Sequence, residues 1–188
     1  MTTRFFFDTE FIEDGKTIDL ISLGMVAVVR GPGPAAPGVL SRHPPKDPAE
    51  PWVHGEFYVV NSECDHSRAD PWVTEHVLTK LPANRGHWIP RQLIRERLEA
   101  FVRQYPPPYQ FWAYFADYDW VVLCQLFGKM IDLPKGFPMF CHDVKQEMSR
   151  LGFRKEMLPS GDTTLDHDAL HDAKWAFHAW RAMGLGSP

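Results

Sequence analysis

Arg4-Phe5-Phe6-Phe7-Asp8-Thr9-Glu10-Phe11 is the stretch on which the reading of this chain turns. Three consecutive aromatic residues suit a buried strand, and they run directly into two acids. Successive side chains of a strand point to opposite faces, so Asp8 and Glu10 share a face with Phe6. Two carboxylates on one face of a core strand are costly to keep ionised unless a cation compensates them. A hard divalent ion that prefers oxygen ligands, Mg2+ or Mn2+, is the natural compensator. The competing reading ends the strand at Phe7 and leaves both acids solvated in a loop. Acidic partners elsewhere in the chain decide between the two.

Downstream, Glu13-Asp14-Gly15-Lys16 is a turn signal, and the run from Asp19 to Val29 is again apolar and rich in Ile and Val. Two such runs across a short Gly-containing turn predict an antiparallel hairpin. From Arg30 to Pro51 the chain is Pro/Gly-rich and lacks apolar periodicity, which reads as a mobile excursion from the hairpin. Glu56 to Asn61 predicts a third strand completing a meander. Helices are expected from Asp70-Pro71-Trp72 to about Pro82, from Pro90 to Gln104, from Asp117 to Gly128, from Asp143 to Leu151 and from Asp168 to Met183. A further strand is expected over Tyr109 to Phe115. The order predicts a mixed-sheet α/β domain with helices on its faces.

At 188 residues, with 44% hydrophobic composition, the chain has the length and apolar content for one globular domain, residues 1–188. Its formal net charge of -4 rules out bulk positive charge as a means of binding nucleic acid. Cys64, Cys124 and Cys141 are widely spaced with no Cys-x-x-Cys, which argues against a zinc ribbon or a disulfide scaffold and fits a reducing cytosol. The apolar start is interrupted by Asp8 and Glu10, unlike a signal peptide, and the run from Leu20 to Val29 is too short to span a bilayer. The expectation is a cytoplasmic protein without a membrane partner.

Two more acidic clusters stand out. Asp117-Tyr118-Asp119 falls at a strand-to-helix junction, where ligands gather in open α/β sheets, although either acid is also a good helix cap. His167-Asp168-Ala169-Leu170-His171-Asp172 opens the last helix. Asp168 and Asp172 are four apart and share a helical face. His167 and Asp172 are five apart and address one site only if His167 belongs to the loop entering the helix. A capped helix start with exposed histidines, or a His-x-x-x-His zinc pair, are the alternatives. Together the clusters supply Asp8, Glu10, Asp119 and Asp172 as carboxylates for two divalent ions, and His167 as a base. Histidine as a type titrates near neutrality, which suits that role.

These motifs resemble the DEDDh family of 3′→5′ exonucleases. Asp8-Thr9-Glu10 is similar to its first motif, Tyr118-Asp119 with Val121-Val122-Leu123 to its second, and His167-x-x-x-x-Asp172 to its third. The resemblance covers nearly the whole chain and implies a ribonuclease H-like fold and a metal-dependent phosphodiester hydrolase. It implies two ions held by Asp8, Glu10, Asp119 and Asp172, with His167 deprotonating water. Asp8 to Gly15, Leu20 to Gly24, Trp72-Val73 to Pro82 and Leu123 to Leu126 look closest to the ribonuclease AS group. That likeness implies a 3′-exoribonuclease favouring adenylate, RNA as partner and a homodimer in which the second copy helps to bind RNA. Trp52, Trp88 and the basic helix 91–103 are candidates for that contact.

Two departures bear on substrate choice. Phe11-Ile12 stands where the family often has Thr-Gly, and the Asn often found upstream of the second motif has no obvious match. Phe11 and Ile12 are therefore candidates to grip the terminal base. Asp117 stays open as a substitute for Asp119. The rivals are a catalytically silent RNA-binding module on the same fold and an HD-type metal phosphohydrolase. The second is prompted by His142-Asp143, His167-Asp168 and His171-Asp172, and its family is mostly helical.

Overall fold

The computed structural model describes residues 2–30 and 51–186. Of the Pro/Gly-rich segment expected to be an excursion, Arg30 to Pro51, residues 31–50 lie outside them, while its two end residues belong to paired strands.

Among the described residues, six strands form one sheet. The first is β1 (Thr3–Glu13), followed by β2 (Ile18–Arg30), β3 (Pro51–Asn61), β4 (Trp88–Ile89), β5 (Tyr109–Ala113) and β6 (His142–Asp143). Their order is β4-β3-β2-β1-β5-β6. β1, β2 and β3 make the antiparallel meander, while β5 and then β6 add parallel to β1. The helices are α1 (Pro71–His76), α2 (Arg91–Val102), α3 (Ala116–Gln125), α4 (Val144–Leu151) and α5 (Ala169–Ala182). This is the expected mixed α/β, ribonuclease H-like architecture. The two-residue strands β4 and β6 were not foreseen, because so short a run carries no periodicity.

β1 is apolar on both sides because both faces of the sheet are covered. Phe5 and Phe7 pack with α2 and α3 in a cluster that includes Ile94, Leu98, Phe111 and Trp120. Phe6 points the other way, with its ring centroid 5.4 Å from those of both Phe177 and Trp180 of α5. Truncating any of these buried rings to Ala would cost about 3–5 kcal/mol. The strand does not stop at Phe7 but continues to Glu13, so the solvated-loop reading of Asp8 and Glu10 is overturned.

α5 lies close over the hairpin because position 24 has no side chain. A Cβ on Gly24 would fall 2.2 Å from the Leu170 nitrogen and 2.3 Å from the Ala169 carbonyl. Gly24 pairs with Asp8 across the ladder, so this close approach sets the first turn of α5 beside the acids of β1. An isolated glycine inside a strand commonly marks such a contact.

Candidate active site

The register of β1 with β5 ends at Phe6 and Trp112. Beyond it the strands part, and the chain turns from β5 into α3. Thr9 therefore has no β5 partner for its N–H, and Asp119 of α3 takes it. The Thr9 N–H and hydroxyl both donate to Asp119 Oδ1, at 2.8 and 2.6 Å. Asp119 is buried, whereas Asp117 is exposed, so Asp119 is the acid that faces the cleft. Neither acid caps α3, contrary to the capping alternative. Its N-cap is Phe115 in a left-handed conformation, and Asp143 accepts the Ala116 N–H at 3.3 Å.

α5 begins one residue later than expected. Asp168 is its N-cap, accepting the His171 N–H at 2.9 Å, and His167 lies in the entering loop at φ 68°. In that position the His167 N–H donates to Asp172 Oδ2 at 2.9 Å, which brings the pair to one place. His167 and His171 do not form a helical zinc pair. They fall in separate groups of ligand-bearing residues, one with Glu10 and Asp172, the other with Asp166 and Asp172. Ala169 is buried and Leu170 half-buried, both packing inward as expected.

Asp8, Glu10, Asp119, His167 and Asp172 thus line a single cleft of about 670 Å³. Burial first, then the neighbouring acids Asp119, Glu10 and Asp172, hold the Asp8 carboxyl well above the usual carboxylate range. Burial and the same repulsion, led by Asp172, push Glu10 up to about 8, with Lys80 opposing. Asp119 rises to about 6 through burial, against the two hydrogen bonds from Thr9. Burial raises Asp172 as well. Four acids that each resist ionisation form a group to which a bound cation would be a natural counter-charge. The donor set fits a hard divalent cation: carboxylate oxygens with one imidazole, and ligand atoms of Glu10, His167 and Asp172 all within 4.8 Å of one another.

Phe11 is half-buried and stacks on Tyr118, with centroids 5.8 Å apart and planes 11° from parallel. Ile12 is placed differently from Phe11. Its side chain is buried against Ile21 and Val77, and it borders a second pocket of about 340 Å³. That pocket shares Glu10, Phe11 and His167 with the cleft and is walled by Asp70, Trp72 and Val77 of the α1 region. The sequence offers Trp72 only as part of a helix start and of the family likeness, yet its ring meets that of His167 edge to face at 4.8 Å. Thr9 and Gly24 carried no functional reading either. The signals available were a hydroxyl between two acids and a glycine inside an apolar strand. Trp88 is half-buried under Arg85, 4.0 Å from its ring, so it is less exposed than expected; the Trp52 side chain lies outside what is described.

A ribonuclease H-like sheet with an acidic, histidine-bearing cleft at the ends of two parallel strands defines a nuclease of the exonuclease type. The family model of the Rv2179c-like 3′-5′ exoribonuclease domain matches residues 3–183, and the chain belongs to that family. Two curated relatives, 3′-5′ exoribonuclease Rv2179c of Mycobacterium tuberculosis H37Rv and MT2234.1 of strain CDC 1551, are each 39% identical over 182 residues. That match covers 96% of this chain and 92% of each relative. Among solved structures, exonuclease I matches with a TM-score of 0.61 at 13% identity, over 100% of this chain and 42% of its own. The zinc-bound E. coli exonuclease I complex with single-stranded DNA matches with the same TM-score at 12% identity, over 100% of this chain and 41% of its own. Both show the fold. The family is one of enzymes, and the sheet is not the mostly helical HD arrangement, which sets both rival readings aside. Among the described residues no helix is long and apolar enough to cross a membrane.

Proposed function

We propose that this chain is a divalent-metal-dependent 3′ exoribonuclease releasing nucleoside 5′-monophosphates from single-stranded RNA ends or 3′ overhangs. The observation that carries this is the pairing of the acidic cleft with a side pocket that ends against the core. An exonuclease needs room for one nucleoside beyond the bond it cuts, and no more. The side pocket supplies it, walled by Val73, Val77 and the buried Ile12. Asp70 and Glu13 also line it, which favours a terminal 3′-hydroxyl over a 3′-phosphate. Phe11 and Ile12 would contact the terminal base there, Phe11 by stacking.

Asp8, Glu10, Asp119 and Asp172 would hold two ions, Mg2+ or Mn2+. The chemistry such ions supply when bound is neutralisation of the acids and polarisation of the phosphodiester and of water. His167 accepts the proton of the attacking water at an imidazole nitrogen, oriented by its backbone bond to Asp172 and by its contact with the Trp72 ring. Water oxygen bonds to phosphorus, and the 3′-oxygen of the penultimate nucleotide leaves. Thr9 fixes Asp119 Oδ1 and leaves Oδ2 for the site.

The likeness to ribonuclease AS supports a preference for adenylate and a homodimer, and the scattered cysteines support a cytoplasmic setting. A time course on end-labelled RNA with adenylate-rich and uridylate-rich 3′ overhangs, in Mg2+, Mn2+ or EDTA, tests the reading. The expected result is a stepwise ladder from the 3′ end, abolished by EDTA and by Asp8→Asn. Sedimentation of the protein at micromolar concentration tests the dimer.

A further inference from the structure

The cleft extends beyond the part it shares with the side pocket, and its lining there is of another kind. Phe115 sits at φ 59°, a conformation costly for any bulky L-residue, and the residue is 59% exposed. A ring buried in the core would explain such a backbone; a ring held out in solvent does not. The rings of Tyr114 and Phe115 meet edge to face with centroids 4.7 Å apart, and those of Trp175 and Tyr114 likewise at 4.9 Å. Three aromatic side chains thus run along one wall, all three lining the cleft. An ammonium group lies at each end of the run. Lys145 Nζ is 5.8 Å from the centre of the Phe115 ring, and Lys155 Nζ is 5.4 Å from that of Trp175.

Aromatic faces flanked by cations match the alternation of bases and phosphates in a single strand. The wall is continuous with the carboxylates and lies outside the pocket that would take the terminal nucleoside. We propose that Tyr114, Phe115 and Trp175, with Lys145 and Lys155, form a subsite for the nucleotides on the 5′ side of the scissile phosphate. Phe115 is the stacking platform, and the two lysines meet the flanking phosphates. This rests on the reading of the cleft as a 3′-exoribonuclease centre and adds to it how the enzyme holds the strand it has not yet cut.

The test compares two substrates. One is the p-nitrophenyl ester of adenosine 5′-monophosphate, which offers the terminal nucleotide and nothing upstream. The other is a hexaadenylate. Phe115→Asn removes the ring and keeps a residue that tolerates the left-handed backbone, so its melting temperature should equal or exceed that of the wild type. The ratio of kcat/KM for hexamer over ester should fall about tenfold or more in Phe115→Asn, through KM. In Phe115→Trp, which retains an aromatic face, the ratio should recover. Lys145→Gln with Lys155→Gln should flatten the salt dependence of hexamer KM. An unchanged ratio in Phe115→Asn, with the wild type cutting both substrates, overturns the subsite alone. A wild type that cuts neither overturns the reading of the cleft, and the subsite with it.

Discussion

Thr9 grips Asp119 twice, its N–H and its hydroxyl converging on Oδ1 at 2.8 and 2.6 Å. A threonine between two acids of β1 thereby positions the acid of α3, and three carboxylates are aligned by one strand. Thr9→Val keeps the shape and the backbone bond and removes the hydroxyl. It should lower metal affinity and kcat by about tenfold or more, the usual loss when an outer partner of a ligand is removed. Calorimetric metal titration alongside single-turnover kinetics checks both.

His167→Ala should lower the single-turnover rate on RNA by about 10²–10⁴ if His167 is the base. Metal binding measured by calorimetry should persist. Loss of binding in that variant would instead make His167 a ligand beside Glu10 and Asp172, the role its neighbours also permit.

The acids predict a pH-dependent stability of opposite sign to the common case. Glu10 moves from an ordinary 4.5 to about 8 in the folded, metal-free protein. The folded state therefore binds more protons than the unfolded one between those values, and stability falls as pH rises through that window. Asp119, raised to about 6, adds to the lower half of it. In EDTA the melting temperature should decline from pH 5 to pH 8. Mg2+ or Mn2+ should raise it, most strongly at the alkaline end, where protons no longer compete for the carboxylates. Glu10→Gln should flatten the EDTA profile. A melting temperature that rises with pH in EDTA would contradict the electrostatics described.

Gly24→Ala should be among the most damaging small substitutions in the chain. A Cβ at 2.2 Å from backbone requires α5 to move, and α5 carries Asp172. Both the melting temperature and the activity should drop, whereas Gly152→Ala, which has open space around its Cβ but strains a backbone at φ 75°, should lower the melting temperature and leave activity near wild type.

RNA ending in a 3′-phosphate should resist degradation, because Asp70 and Glu13 line the pocket proposed for the terminal nucleoside. Treatment with a phosphatase should restore the ladder on denaturing gels.

Much of this was legible in the sequence. Apolar runs with period two or near four located the meander and the helices, since burial imposes those periods on side chains. Asp8, Glu10, Asp119, His167 and Asp172 came from three local clusters, each weak alone, which the cleft gathers. What escaped was set by tertiary contact. An aspartate of its own was one candidate cap for α3, yet its first N–H is served by Asp143, 27 residues away. Ile12 was grouped with Phe11 by adjacency, although alternation and the irregularity after Glu10 send the two to different surroundings. Trp72 beside His167 and Gly24 beneath α5 depend on how distant segments pack, and single-chain periodicity does not encode that.

The cleft draws its first acids from β1 and its last from α5, the earliest and latest of the described elements to be synthesised. The site therefore exists only while β1 and α5 are held together, and local unfolding that frees α5 would carry His167 and Asp172 away from Asp8 and Glu10 in one step.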